Sequence, residues 1–63
     1  MTLTKGERRD VANIFVDIER FARRGAATVM HEDRPLPEVI HAAMAIQEKA
    51  TLAVQQLVRG TVD

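Results

Sequence analysis

Two side chains in the middle of the sequence have types and spacing that suit metal chemistry. Glu38 and His41 lie three residues apart in the stretch PEVIHAAMAI, and on a helix this spacing sets a carboxylate and an imidazole on one side. Helical di-iron proteins combine such a Glu-x-x-His pair with a glutamate from a facing helix, for which Glu19 is the candidate. A metal centre forms only if all three side chains point into a shared core.

The expected facing of these residues argues against a metal centre. Glu38 and His41 lie about 140–160° from the centre of the apolar face of their helix, so they are expected to point outward. Glu19 lies at the border of the apolar stripe of its own helix, not inside it. A second ligand-like cluster, residues 31–33, falls in a predicted hinge and is interpreted as a polar loop. We therefore expect no metal and no cofactor.

The composition of the 63-residue chain leaves little room for catalysis. The chain has no Cys, Ser, Tyr or Trp, which excludes disulfides, thiolate chemistry, serine nucleophiles and aromatic platforms for stacking bases. The sequence shows no nucleophile with an adjacent base, no glycine-rich phosphate loop and no inward-facing pair of carboxylates. The sequence therefore predicts a protein that is not an enzyme.

The charges and the apolar runs predict a soluble protein. Nine basic residues balance nine acidic ones, so no global field favours nucleic acid or a membrane surface. The N-terminus has no apolar stretch of the secretory kind, and the longest wholly apolar run, residues 42–46, is far too short to span a membrane. We expect a cytoplasmic location and no membrane partner.

The elements that position these residues are two helices. Thr4-x-x-Glu7 is a capping-box signature, and apolar residues follow it at helical spacing. Helix 1 is predicted over about residues 4–30. Gly25 follows two arginines and suits a C-cap, but Val29 returns to the same apolar stripe, so we favour continuation through Gly25.

A proline-containing hinge separates helix 1 from helix 2. The residues before Pro35 and Pro37 are disfavoured in helical conformation, so the hinge is placed at about residues 31–36. Pro37 suits the first turn of helix 2, which is predicted over about residues 37–59 with Gly60 as its C-cap. The chain is one domain, and its fold class is all-α, an antiparallel two-helix hairpin.

The apolar face of helix 2 is wider than one facing helix covers. It spreads over roughly 150° of the helix surface, and a chain this short buries only about 60% of its unfolded surface alone. We therefore expect the hairpins to pair into a dimeric antiparallel four-helix bundle. The predicted dimer core consists of Val11, Ile14, Phe15, Ile18 and Phe21 from helix 1 and Ala43, Ile46, Gln47, Ala50, Val54 and Leu57 from helix 2.

Gln47 is the polar residue near the middle of this apolar face. One interpretation is an amide at the edge of the stripe that reaches water. A second is a buried polar residue that sets the register of the dimer, as a single asparagine does in coiled coils. A third is a ligand contact. The sequence leaves these alternatives open.

The predicted partner-binding residues lie away from the apolar stripes. Four are arginines of helix 1 and two are single apolar residues on the polar sides of the helices: Arg9, Arg20, Arg23, Arg24, Val16 and Leu52. An ordinary solvated face is one interpretation of the arginines, and an acidic partner protein or nucleic-acid phosphate are the others. Because Asp10 and Asp17 border the arginines and weaken their field, we favour a protein partner over nucleic acid.

These features predict a non-catalytic homodimer that regulates or inhibits another protein by binding it. Small regulators of this kind suit phage or plasmid genomes, so we expect such an origin. In size and overall plan, a short hairpin that dimerises into four helices also resembles Rop-type plasmid copy-control proteins. That resemblance implies RNA binding through helix faces. The alternative function is therefore an RNA- or DNA-binding regulator that uses the arginine face of helix 1.

Overall fold

The computed structural model of the protein describes residues 2–61 and contains two antiparallel helices that pack as a hairpin. α1 spans Lys5–Val29 and α2 spans Leu36–Thr61. Within the described residues no strand is present. The prediction of an all-helical hairpin is confirmed.

The start of α1 is held by the predicted capping box. The Glu7 N–H donates to the Thr4 hydroxyl at 3.1 Å, and the Thr4 N–H donates to Glu7 Oε1 at 2.8 Å. These bonds satisfy two backbone donors that the first helical turn leaves without partners. The backbone hydrogen bond from Thr4, followed by the one from its side chain, holds the pKa of Glu7 below its ordinary value of 4.5. α1 then continues through Gly25, as expected.

The end of α2 differs from the prediction. The helix continues through Gly60 to Thr61, and within residues 2–61 no glycine has a positive φ, so the expected C-cap at Gly60 is wrong. A different requirement explains the glycine. A Cβ at position 60 would lie 2.5 Å from Leu3 Cδ2 and 2.6 Å from Leu3 Cγ. Gly60 therefore leaves the space into which Leu3 packs, and the segment before α1 covers the end of α2.

The two helices meet along seams with alternating spacings of three and four residues, the pattern of antiparallel helix pairs. The residues of the seams are at least half-buried, and they are Val11, Ile14, Ile18, Phe21, Gly25 and Thr28 on α1 and Val39, Ala42, Ile46, Lys49, Ala53 and Gln56 on α2. Val11 and Ala53 form the buried apolar core, with exposed fractions of 6% and 3%. A core this small is the main weakness of the isolated hairpin.

Two contacts give the register of the hairpin. Lys49 Nζ lies 3.3 Å from Asp17 Oδ2 in a partly exposed ion pair. A Cβ at Gly25 would lie 3.6 Å from the Cβ of Ala42. The residue numbers in these pairs add to 66 and 67, so residues whose numbers add to about 66 lie at the same level along the hairpin.

Candidate interaction surface

One side of the hairpin is covered by exposed apolar residues from both helices. On each helix they form a second row, with the same alternating spacing, beside the seam. We call this surface the apolar side, and it consists of Ala12, Phe15, Ala22, Ala26 and Val29 on α1 and Leu36, Ile40, Ala43, Ala50, Val54 and Leu57 on α2. The two rows lie on the same side of the molecule, since Ala12, Phe15 and Leu57 line one shallow groove together.

The apolar side is large for so small a chain. Phe15 is 54% exposed and Val54 is 58% exposed, whereas large apolar residues are among those most often buried in soluble monomers. The hairpin exposes 5262 Å² in total. A compact monomer of this length is expected to expose about 4,000 Å². The excess is of the size that a protein interface covers.

The structure divides the predicted dimer core into two sets. Five of its residues turn toward the other helix of the same chain: Val11, Ile14, Ile18, Phe21 and Ile46. The other six are exposed and lie in the two rows that form the apolar side: Phe15, Ala43, Gln47, Ala50, Val54 and Leu57. Gln47 is thus exposed in the single hairpin, on the surface that a second chain would cover.

Two seam residues of α2 were missed because they are polar. Lys49 and Gln56 occupy seam positions of α2, for which only apolar side chains were predicted. The unbroken three-and-four spacing from Val39 to Gln56 was the signal that would have found them. Lys49 tolerates its position because its ammonium group donates to the Asp17 carboxylate.

The opposite side of the hairpin, which we call the polar side, carries charges from both helices. Near the chain ends Asp10 lines a groove with Gln56 and Arg59. Near the hinge a groove of about 290 Å³ is lined by residues that include Arg24 and His41. Both grooves are open to solvent and their ionisable side chains are exposed. The arrangement suits surface recognition better than chemistry that requires desolvated groups.

The predicted arginine cluster of α1 is only partly neutralised. Arg23 pairs with Glu19 at 2.8 Å, four residues earlier. Within residues 2–61 no ion pair includes Arg9, Arg20 or Arg24. Arg20 and Arg24 line one groove with Asp17, whose carboxylate is already engaged by a lysine. Two guanidinium groups therefore lie on this surface without an ion-pair partner among residues 2–61.

Val16 and Leu52 are equally exposed, at 48% each, but they lie on different surfaces. Val16 is about half a helical turn away from Ile14 and Ile18, so it lies on the back of α1, away from α2. Leu52 follows Lys49 by three residues and lies on the polar side. Within one hairpin these two residues do not form a single apolar centre.

The three candidate metal ligands do not converge. Glu38 pairs with Arg34 at 3.6 Å near the hinge, and it lines a groove with His41 on the polar side. Glu19 lies on the other side of α1, where it pairs with Arg23. Among the residues that the structure describes, no group of three or more His, Asp or Glu side chains is placed to hold a metal ion.

Comparison with known proteins adds no functional information. No protein-family model, curated protein or solved structure matches the chain. Of the two described helices, neither combines the length and the apolar character needed to cross a membrane.

Proposed function

We propose that the protein is a non-catalytic homodimer that regulates a partner protein by direct binding. The observation that carries the proposal is the apolar side, an exposed and largely apolar surface to which both helices contribute. Contiguous apolar patches of this kind on small soluble proteins are typical of interaction sites. A four-helix bundle formed by two hairpins through their apolar sides would cover that surface.

The amount of exposed surface supports the dimer. The hairpin exposes about 1,200 Å² more than a compact monomer of its length. A standard protein interface covers about 800 Å² on each partner. One self-association through the apolar side would therefore bring the exposed area close to that of an ordinary folded protein. It would also enlarge a core in which two apolar residues among residues 2–61 are buried.

The surfaces that remain outside this dimer are the proposed binding site for the partner. Val16 on the back of α1 lies among arginines, and Leu52 projects from the polar side. Apolar residues surrounded by arginine are typical of binding hot spots in protein interfaces. We place the acidic surface of the partner protein against Arg9, Arg20 and Arg24.

Sedimentation equilibrium tests the dimer directly. At micromolar concentration the protein is expected to have twice the mass of one chain, and its helix content should fall on dilution as the dimer dissociates. A fully helical, cooperatively folded monomer at the same concentration would contradict the proposal.

Affinity capture from the native host tests the partner. The wild-type protein should retain a specific protein, and Val16→Asp or Leu52→Asp should lose it while the dimer remains. Gln55→Asp, an exposed change to the same charge on α2, is the control and should retain the partner. Equal capture by all three variants would exclude these surfaces as the binding site.

Nucleic-acid binding is the second candidate function, and it is favoured by one observation. Arg20 and Arg24 share a groove and have no ion-pair partner among residues 2–61. A phosphate ligand would make binding fall steeply with salt, and the double change Arg20→Glu and Arg24→Glu would abolish it. Binding that is insensitive to salt but lost in Val16→Asp would favour the protein partner.

A further inference from the structure

At three levels of the hairpin the apolar side pairs a large residue with a small one. By the register of the Asp17–Lys49 and Gly25–Ala42 contacts, positions on α1 and α2 are level when their numbers add to about 66. Three of the resulting pairs combine a large residue with a small one: Phe15 with Ala50, Val54 with Ala12, and Ile40 with Ala26. A fourth pair, Glu19 with Gln47, combines two polar residues. Near the hinge Val29 is level with Leu36.

This pattern is complementary to itself in one orientation. If the second copy is related by a two-fold axis parallel to the helices, α1 of each copy packs on α2 of the other, and level residues face each other across the interface. Phe15 then faces the space left by Ala50 of the second copy, and Ile40 faces that left by Ala26. Alternation of large and small residues across facing positions is what lets helices interdigitate without voids.

The polar pair fits the same orientation. Glu19 and Gln47 are the polar residues near the middle of the two rows, and they would face each other at the same level of the bundle. The glutamine amide can donate a hydrogen bond to the carboxylate, while Arg23 continues to pair with Glu19 from the outside. Glu19 and Gln47 would thereby each have a hydrogen-bond partner in the interface.

The opposite orientation matches the surface poorly. A two-fold axis perpendicular to the helices would place the hinges at opposite ends and pack each helix on its own copy. Levels would then be mirrored about the middle of the hairpin, so Phe15 would face Glu19 and Ile40 would face Leu57. A phenyl ring would then cover a carboxylate, which is costly without a hydrogen-bond partner.

We propose that two copies of the chain dimerise with their hinges at the same end, α1 of each packing on α2 of the other. The inference rests on the proposed homodimer and specifies its geometry. It also determines what a partner protein meets, because the back of α1 with Val16 then lies beside the outer edge of α2 of the second copy, which carries Met44 and Val58. The partner-binding surface is therefore built from both chains.

Spin-label distances test the orientation, because the chain has no cysteine and one introduced cysteine is labelled specifically. Asp33→Cys places the label in the exposed hinge. Hinges at the same end predict a label separation of roughly 15–25 Å, given helix axes 8–10 Å apart. Hinges at opposite ends predict a separation near the 49 Å length of the molecule.

A label near the middle of the hairpin separates failure of the orientation from failure of the dimer. Asn13→Cys is exposed and gives a separation of about 30 Å or less in either orientation, because it lies near mid-height on helices of 1.5 Å rise per residue. Short distances from both labels support the proposal. A short distance from Asn13→Cys with a long one from Asp33→Cys overturns the orientation and leaves the dimer. No dipolar coupling from Asn13→Cys at micromolar concentration overturns both.

Discussion

At the scale of single residues, the capping box at the start of α1 is a small and separable contribution to stability. Thr4→Ala removes the hydroxyl that accepts the Glu7 N–H and should lower the free energy of unfolding by about 1 kcal/mol. Thr2→Ala, an exposed threonine outside the box, is the control and should change little. Chemical denaturation followed by circular dichroism measures both. Equal effects of the two variants would contradict a role for the cap.

The same box predicts a pH dependence. The folded pKa of Glu7 is lowered by its hydrogen bonds with Thr4, so its ionised form stabilises the folded state. That contribution is complete above the ordinary pKa of 4.5 and is lost as the pH falls through the lower folded value. The wild type should therefore exceed Glu7→Gln in stability at neutral pH, and the difference should vanish as the pH falls below the lowered folded pKa of Glu7. A difference that grows on acidification would be inconsistent with this assignment.

Two glycines inside helices should respond in opposite ways to alanine. A Cβ at Gly25 meets Ala42 at an ordinary contact distance of 3.6 Å, so Gly25→Ala should stabilise the hairpin by about 0.5–1 kcal/mol through helix propensity. Gly60→Ala instead meets Leu3 at 2.5 Å and should lower the melting temperature by displacing it. The double variant Leu3→Ala with Gly60→Ala should lose this penalty. Stabilisation by both single changes would show that Leu3 does not pack on Gly60.

At the scale of the helices, the close contact between α1 and α2 depends on small residues in the seam. Ala53 is 3% exposed, and Ala53→Leu would insert a larger side chain between the helices, at a cost of about 1–3 kcal/mol. Ala27→Leu makes the same change at an exposed position of α1 and should be nearly neutral. Thermal unfolding of both variants measures the difference. A tolerated Ala53→Leu would mean that the helices are not tightly packed there.

The helices themselves followed from local signals, but the facing of α2 did not. The capping box, the two prolines and the apolar periodicity placed both helices within about two residues of their observed ends, because these signals act on neighbouring backbone groups. The predicted apolar face of α2 had Gln47 near its middle, whereas the structure turns Ala42, Lys49 and Ala53 toward α1. Two adjacent rows of α2 are nearly equally apolar. Because the hydrophobic effect is non-directional, the sequence does not determine which of the two rows packs against α1.

At the scale of the whole molecule, one change on each side of α2 separates self-association from partner binding. Val54→Asp puts a charge on the apolar side and should abolish the dimer, since an unpaired carboxylate in an apolar interface is strongly disfavoured. Leu52→Asp is the matched control on the polar side, two residues away and comparably exposed, and should leave the dimer intact. Sedimentation velocity of both variants provides the measurement. Dissociation by Leu52→Asp alone would move the interface to the other side of the hairpin.

The sequence by itself determined the helices, the hinge between them and the presence of more apolar surface than one hairpin can bury. These properties depend on local backbone chemistry and on composition, both of which follow from the amino-acid sequence alone. Only the tertiary structure decided which apolar row α1 covers and which remains exposed. That choice depends on the register of Asp17 with Lys49 and on the close approach of Gly25 to Ala42, contacts between residues distant in the chain. The same register separated Glu19 from the Glu38 and His41 pair, and it placed the exposed apolar rows of both helices on one side.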